Sequence, residues 1–471
     1  MNCQTRRPEM AAMRNIWVIA KNTLSQAIRM KLALTVFVLL ILLLPLMSKE
    51  MVGDGTLTGK LQTFSSYGLS LISLLLCFLT ITISCYSLST DIKEKQIFSV
   101  ITKPVARFQI VLGKFVGIVL FDIIMLAIFS GIIYGLTIAI PKFSKAPEAQ
   151  IAEANQTFFT ARNGIKPDID KKQMMADAEK DYQRLKEQNM LPEGKTKQEM
   201  INELRGRRFM QFMSVEPGAA KSWKFYDVNP RSRDGFVYVR FKYQVSVSPP
   251  DNSIAGRWII GDFRKLEQEG ASPQDVETPV YDSYVRKDSV KTFHEIKIPA
   301  ACVAEDGYVE VGFQNMYYNN TTVIPKDVEI LFRSGGFGLN YFMATVMLFV
   351  RLVFLAALGV SLSTWLSFPV AIFACLVVFF TGMVNGFIVD AIDMLGKEAS
   401  VIYGLTIKPV LALLPRFDGN YNPTPQIISA RLIGWGFLLK AISITAILKS
   451  ALLLLLGIFV FSKREIAKVT V

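Results

Sequence analysis

Three charged side chains stand inside otherwise apolar runs: Asp122, Arg351 and Lys449. Counted at about 1.5 Å per helical residue from Arg107, Ser363 and Lys463, each lies roughly 18–23 Å along its run. That is similar depth in a hydrocarbon layer about 30 Å thick. A charge facing lipid there costs at least about 2.5–3.5 kcal/mol, so all three are expected to face protein or a polar path. Two cations and one acid allow two kinds of chemistry. They can form an ion pair that joins helices, or a polar cluster that lines a pathway for an anionic substrate. Both readings predict Asp122 within salt-bridge reach of Arg351 or Lys449.

A second set of residues could do mechanical work. Residues 90–117, TDIKEKQIFSVITKPVARFQIVLGKFVG, form a charged amphipathic wedge between two apolar runs. Asp91 followed by Glu94 reads as an N-cap with its capping-box acid. Ile92, Phe98 and Ile101 recur at near-helical spacing, and Pro104 ends the turn. This predicts a short helix over 91–103, lying on the membrane face and open to a soluble partner.

That wedge, followed by Lys103-Pro104-Val105, Arg107 and Gly113-Lys114, resembles the permease subunits of ABC transporters of the ABC-2 type. Four further stretches share the resemblance. Residues 14–31 are basic and amphipathic, like a connecting helix along the bilayer. Gly359, Ser361, Ser363 and Thr364 form a small-residue run before a short turn. Leu414-Pro415-Arg416-Phe417-Asp418 and the closing Phe461-Ser462-Lys463-Arg464-Glu465 complete the set. The resemblance covers both apolar halves of the chain and not the region between them. It implies that 91–103 is a coupling helix docking on an ATPase subunit, with Asp91, Glu94, Phe98, Ile101, Lys103, Pro104 and Arg107 at that contact. It also implies a homodimer, or a heterodimer with a second permease.

Other chemistries are poorly served. There is no GxxxxGK[ST], so ATP and Mg are expected in the partner ATPase, with no cofactor in this chain. His294 is the sole histidine, and the five cysteines show no CxxC, so no metal site and no catalytic residue is assigned. The chain is read as a transport subunit rather than an enzyme.

The elements that must carry these residues are membrane helices. Of 471 residues, 51% are hydrophobic, too apolar a balance for an ordinary soluble protein. Six runs near 32–52, 67–89, 108–140, 341–362, 366–389 and 437–461 are long enough to cross a bilayer. The net charge of +13 is uneven: residues 142–338 hold 29 basic and 28 acidic side chains, and the remainder 23 and 11. The basic excess flanks the spans, which is the positive-inside pattern rather than a nucleic-acid patch. It predicts a multi-pass protein of the inner (plasma) membrane, both termini cytoplasmic, with 142–338 extracytoplasmic. A segment at 399–415 is apolar but holds Lys408-Pro409, and reads as re-entrant or interfacial.

The expected fold is therefore an α-helical polytopic membrane protein with six transmembrane helices and an extracytoplasmic α+β domain. Residues 1–141 carry three spans, 142–338 the outer domain, and 339–471 three more. Within the outer domain, 166–208 reads as two polar helices. Residues 209–333 alternate in FVYVRFKYQVSV and shorter runs, and predict an antiparallel β-sandwich of jelly-roll type. Its pattern resembles carbohydrate-binding modules, and Trp223 and Trp258 are the candidate glycan-stacking residues. The leading function is a permease subunit of an ABC exporter. The alternative is a non-transporting mechanotransmitter that relays ATP-driven motion to a glycan or envelope ligand.

Overall fold

The computed structural model describes residues 8–51, 53–93, 105–144, 146–192, 197–264, 279–392, 406–407 and 409–463. The chain divides into two compact units. A helical unit holds the N-terminal and C-terminal parts, and a β unit holds Thr160–Gly335.

Six helices of the helical unit are long and apolar enough to cross a membrane: Lys31–Glu50, Leu57–Asp91, Arg107–Phe143, Phe337–Leu362, Phe368–Val389 and Trp435–Lys463. They make this a multi-pass membrane protein, and are called the first to sixth spans below. The second begins ten residues before its apolar run at 67. Leu57, Leu61 and Phe64 are buried while Thr58, Lys60, Gln62 and Thr63 are not, so this first stretch is amphipathic and escapes a hydropathy reading. The fourth span is the most enclosed, 83% buried, and forms the centre of the bundle; the first, fifth and sixth, at 22–28%, are its periphery. The sixth is irregular. Ile442–Lys449 is a π-helix between two α-helical parts, Trp435–Ala441 and Ser450–Lys463.

An amphipathic helix, Pro8–Arg29, precedes the first span and is set off from it by extended Met30. Its buried stripe, Ala20, Thr23 and Ala27, lies against the third span at Gly113 and Gly117. A Cβ at Gly113 would come 2.7 Å from Ile19, and one at Gly117 would come 2.5 Å from the carbonyl oxygen of Ala20. This is a small-xxx-small contact of the kind that lets helix backbones approach in lipid. Gly117→Val is expected to cost about 1–3 kcal/mol by overpacking and to lift the N-terminal helix off the bundle. Protease cleavage within 8–29 in membranes measures it; an unchanged cleavage rate would refute the contact.

The β unit contains β1 (Thr160–Ile165), β2 (Ala220–Phe225), β3 (Phe236–Val245), β4 (Ser253–Gly261), β5 (Tyr281–Ser289), β6 (Phe293–Pro299), β7 (Val309–Asn315) and β8 (Val323–Gly336). They form two four-stranded antiparallel sheets, ordered β1-β8-β3-β6 and β2-β7-β4-β5. Alternation along β3 sends Val237, Val239, Phe241 and Tyr243 inward, where they share one core with Trp223, Trp258, Val311 and Phe313 of the other sheet. Two helices, Lys171–Glu187 and Lys197–Met213, are inserted between β1 and β2 and pack on each other through Ala178, Met200, Ile201 and Leu204.

Both tryptophans singled out for glycan stacking belong to that core. Trp223 is 2% exposed and Trp258 0%, so neither can offer a ring face to a sugar. The physical reason is their strand phase. Both sit on the inward side of their strands, among Phe241, Phe313 and Ile260.

Candidate functional site: a polar cradle among the spans

The three intramembrane charges do not find one another. Asp122, on the third span, accepts a hydrogen bond from Thr80 Oγ1 at 2.7 Å, and its Oδ2 has no hydrogen-bond partner among the described residues. Among the described residues no salt bridge joins it to Arg351 or Lys449, against the expected ion pair. All three side chains are enclosed to different degrees: Asp122 is 1% exposed, Arg351 6%, and Lys449 is only partly buried.

The two cations meet backbone carbonyls instead. Residues 409–413 are helical, and the chain then runs irregularly through Leu414, Pro415, Arg416 and Phe417. Pro415 has no N–H, and the turn leaves carbonyls with no partner in a helix of their own. Lys449 Nζ donates to Ala412 O at 2.8 Å and to Leu414 O at 2.6 Å. Arg351 Nη2 donates to Phe417 O at 3.1 Å, its Nη1 to Ser73 Oγ at 2.9 Å, and the guanidinium lies over the Phe417 ring. Asn385 of the fifth span completes the set, giving its amide to Leu411 O and Pro415 O, both at 3.1 Å. Gly386 N donates to Asp418, and Phe417 N to Gly382 O at 2.8 Å.

Side chains of the fourth, fifth and sixth spans thus hold five backbone carbonyls, those of Leu411, Ala412, Leu414, Pro415 and Phe417. Irregular backbone among spans is tolerated only where protein or water satisfies it, and here charged donors do so. Gly382 makes room for it: a Cβ there would lie 2.8 Å from the Phe417 ring. Of the stretch predicted at 399–415, residues 399–405 and 408 lie outside the described residues.

The second span lines this interior with a polar seam. Ser73, Cys77, Thr80, Ser84, Ser87 and Asp91 recur at alternating intervals of four and three, the spacing that keeps residues on one helix face. Ser73 meets Arg351 and Thr80 meets Asp122. Ser84 packs against Gly359, whose lack of a side chain is required there. Cys85, beside the seam, touches Cys375 of the fifth span at 3.7 Å between sulfurs.

The far end of the seam reaches the segment predicted to couple, where Asp91 lies in the last turn of the helix Leu57–Lys93 and does not cap a new helix as expected. Asp91 forms a 2.5 Å ion pair with Lys114 of the third span, and Lys114 also donates to Ser87 O at 2.6 Å and Ser87 Oγ at 3.0 Å. Arg107 donates to Phe461 O and Ser462 O, both at 2.8 Å, closing the last turn of the sixth span. Glu94, Phe98, Ile101, Lys103 and Pro104 lie outside the described residues.

The small-residue run divides by role. Gly359 faces Ser84, and Ser361 donates to Leu453 O at 2.7 Å and sits against Gly457. Ser363 and Thr364 bond back to carbonyls of their own helix.

Sequence reasoning missed Asn385, and it singled out Gly113-Lys114 without the Asp91 ion pair or the close contact at Gly113 and Gly117. The last had a legible signal, the spacing Gly-Lys-Phe-Val-Gly. Asn385 had none beyond being a lone amide in an apolar run. No family model, curated protein or solved structure matches the chain.

Proposed function

We propose that this chain is the membrane-spanning permease subunit of an ABC exporter of the ABC-2 type. A separate ATPase subunit binds ATP and Mg, and the permease works as a homodimer or with a second permease. Both termini and the 94–104 segment are cytoplasmic in this reading, and the β unit lies outside, with its strand orders and shared core suiting a jelly-roll sandwich. One observation carries the proposal: both flanks of the 94–104 segment are tied to the bundle. Asp91 anchors one flank to Lys114 of the third span, and Arg107 anchors the other to the end of the sixth. A push on a segment held this way reaches three spans at once.

The double variant Phe98→Asp with Ile101→Asp is expected to insert normally and to lose ATPase co-purification. Stimulated ATP hydrolysis should fall by at least about tenfold, equivalent to about 1.4 kcal/mol of coupling. Unchanged co-purification and stimulation would refute the coupling role.

A second reading is favoured by the separate core of the β unit. In it the same machine transmits motion to an envelope ligand held by that unit, without transport. Substrate flux in proteoliposomes with the ATPase supports the exporter. Hydrolysis altered by a β-unit ligand, with no flux, supports the transmitter.

A further inference from the structure

One end of the β unit forms an open cleft of about 810 Å³. Three pieces of chain enclose it: the 246–252 turn between β3 and β4, the 316–321 connection after β7, and residues 285–287 of β5, the edge strand of its sheet. The size suits a small ligand rather than a protein partner.

Its most prominent lining group is aromatic. Tyr318 is 53% exposed, and its ring is braced edge-on by Tyr317 at 5.4 Å. The chain carrying these rings is fixed from behind. Asn319 donates to Ala255 O at 2.6 Å and to Asn315 Oδ1 at 2.7 Å, and accepts from Ala255 N at 3.0 Å. Asn315, fully buried, donates in turn to Val215 O and Thr321 O. Asn320 turns the chain in the left-handed region at φ 51°. The platform is therefore built before any ligand arrives.

The charges of the cleft cancel. Asp251 pairs with Lys287 at 2.5 Å, and Arg286 is matched by a two-point bond to Asp288 at 2.7 Å. Bonding to Lys287 pushes the Asp251 carboxyl down to about 2, so it is an ionised acceptor at neutral pH. Each charge at the cleft is thus already paired before a ligand arrives. A neutral ligand with an apolar ring face and a rim of hydroxyls would find an aromatic platform beside a carboxylate acceptor and an ammonium donor. That is the chemistry of a pyranose.

We propose that this cleft binds a neutral oligosaccharide, with one sugar ring on Tyr318 and its hydroxyls read by Asp251 and Lys287. The inference replaces the two buried tryptophans with an exposed site elsewhere, and concerns the β unit alone, so it stands or falls apart from the ATPase reading.

The test is calorimetry of the full chain in nanodiscs with chitotetraose, maltotetraose and cellotetraose. At least one should bind with a Kd of about 1 mM or tighter. Tyr318→Ala should weaken that binding by about tenfold or more, whereas Tyr318→Phe should keep it within about threefold. Asp251→Asn, at an exposed position where folding is not at stake, should also weaken it severalfold. Failure of all three sugars to bind at about 5 mM, or binding indifferent to both Tyr318→Ala and Asp251→Asn, overturns the proposal.

Discussion

Arg351→Met combined with Lys449→Met is expected to release the 411–417 segment from the bundle. The double variant removes every donor now given to Ala412, Leu414 and Phe417 by these cations, and takes the guanidinium from Ser73 Oγ. The Phe417 carbonyl is the buried one of the three, and a buried carbonyl left without a partner costs about 1–3 kcal/mol. Methionine keeps most of the side-chain volume, so the effect reports lost hydrogen bonding rather than a cavity. Leu411 is only 6% exposed. A cysteine placed there, in a Cys3→Ser background, should react with an aqueous maleimide at least about tenfold faster in the double variant, the ratio that about 1.4 kcal/mol of opening produces. Equal labelling rates would mean that the cations do not hold the segment. Asp122→Asn serves as the contrast. Asp122 touches none of these carbonyls, so this change should leave labelling at position 411 unaltered.

The second large effect concerns the β unit. Trp258 packs at a tilt against Phe241 at 4.2 Å and Phe313 at 4.7 Å between ring centres, and its Nε1–H donates to Tyr243 Oη at 3.0 Å. Trp258→Ala removes the centre of this aromatic cluster and leaves the tyrosine hydroxyl without its donor. A core tryptophan truncated in this way costs about 3–5 kcal/mol. For a unit of this size that lowers the melting temperature by about 6–20 °C. Differential scanning calorimetry of the full chain should show one transition moving and another staying in place, because the helical unit has its own core. A shift under about 2 °C would contradict the burial described. Trp223 offers a milder case, since its Nε1 has no hydrogen-bond partner among the described residues and its loss strands no acceptor.

The scaffold was legible because its signals are one-dimensional. Six apolar runs announce six spans, and inward Val237, Val239 and Phe241 announce β3. The polar helical pair was legible for the same reason. The site was not. Equal depth along their helices suggested that Asp122, Arg351 and Lys449 meet, but depth is only one coordinate of three. Arg351 and Asp122 reach the same seam of the second span but bond different residues of it, Ser73 and Thr80. A sequence also hides the competing acceptor. Charge alone points to the one carboxylate, whereas no side chain announces the carbonyls bared around Pro415. The tryptophans failed in a related way, since an aromatic residue reads alike whether its strand phase turns it inward or outward.

The π-helix at Ile442–Lys449 has a consequence for how the last span tolerates change. Its wider turn acts as an extra residue threaded into the helix, which resets the phase between the two halves. The later half is clamped: Gly457 lies against Ser361, and Phe461 accepts from Arg107. The earlier half is keyed separately, with Leu438 and Ala441 turned inward. Adding one more residue between 442 and 449 goes beyond what the wider turn already absorbs and would swing one half by about 100° against the other. The clamp would hold Phe461 and Gly457 in place, so Leu438 and Ala441 would be the pair turned out of the bundle. The final span is thus two screws cut to different starts, and the short length between them is where the chain can least afford a further residue.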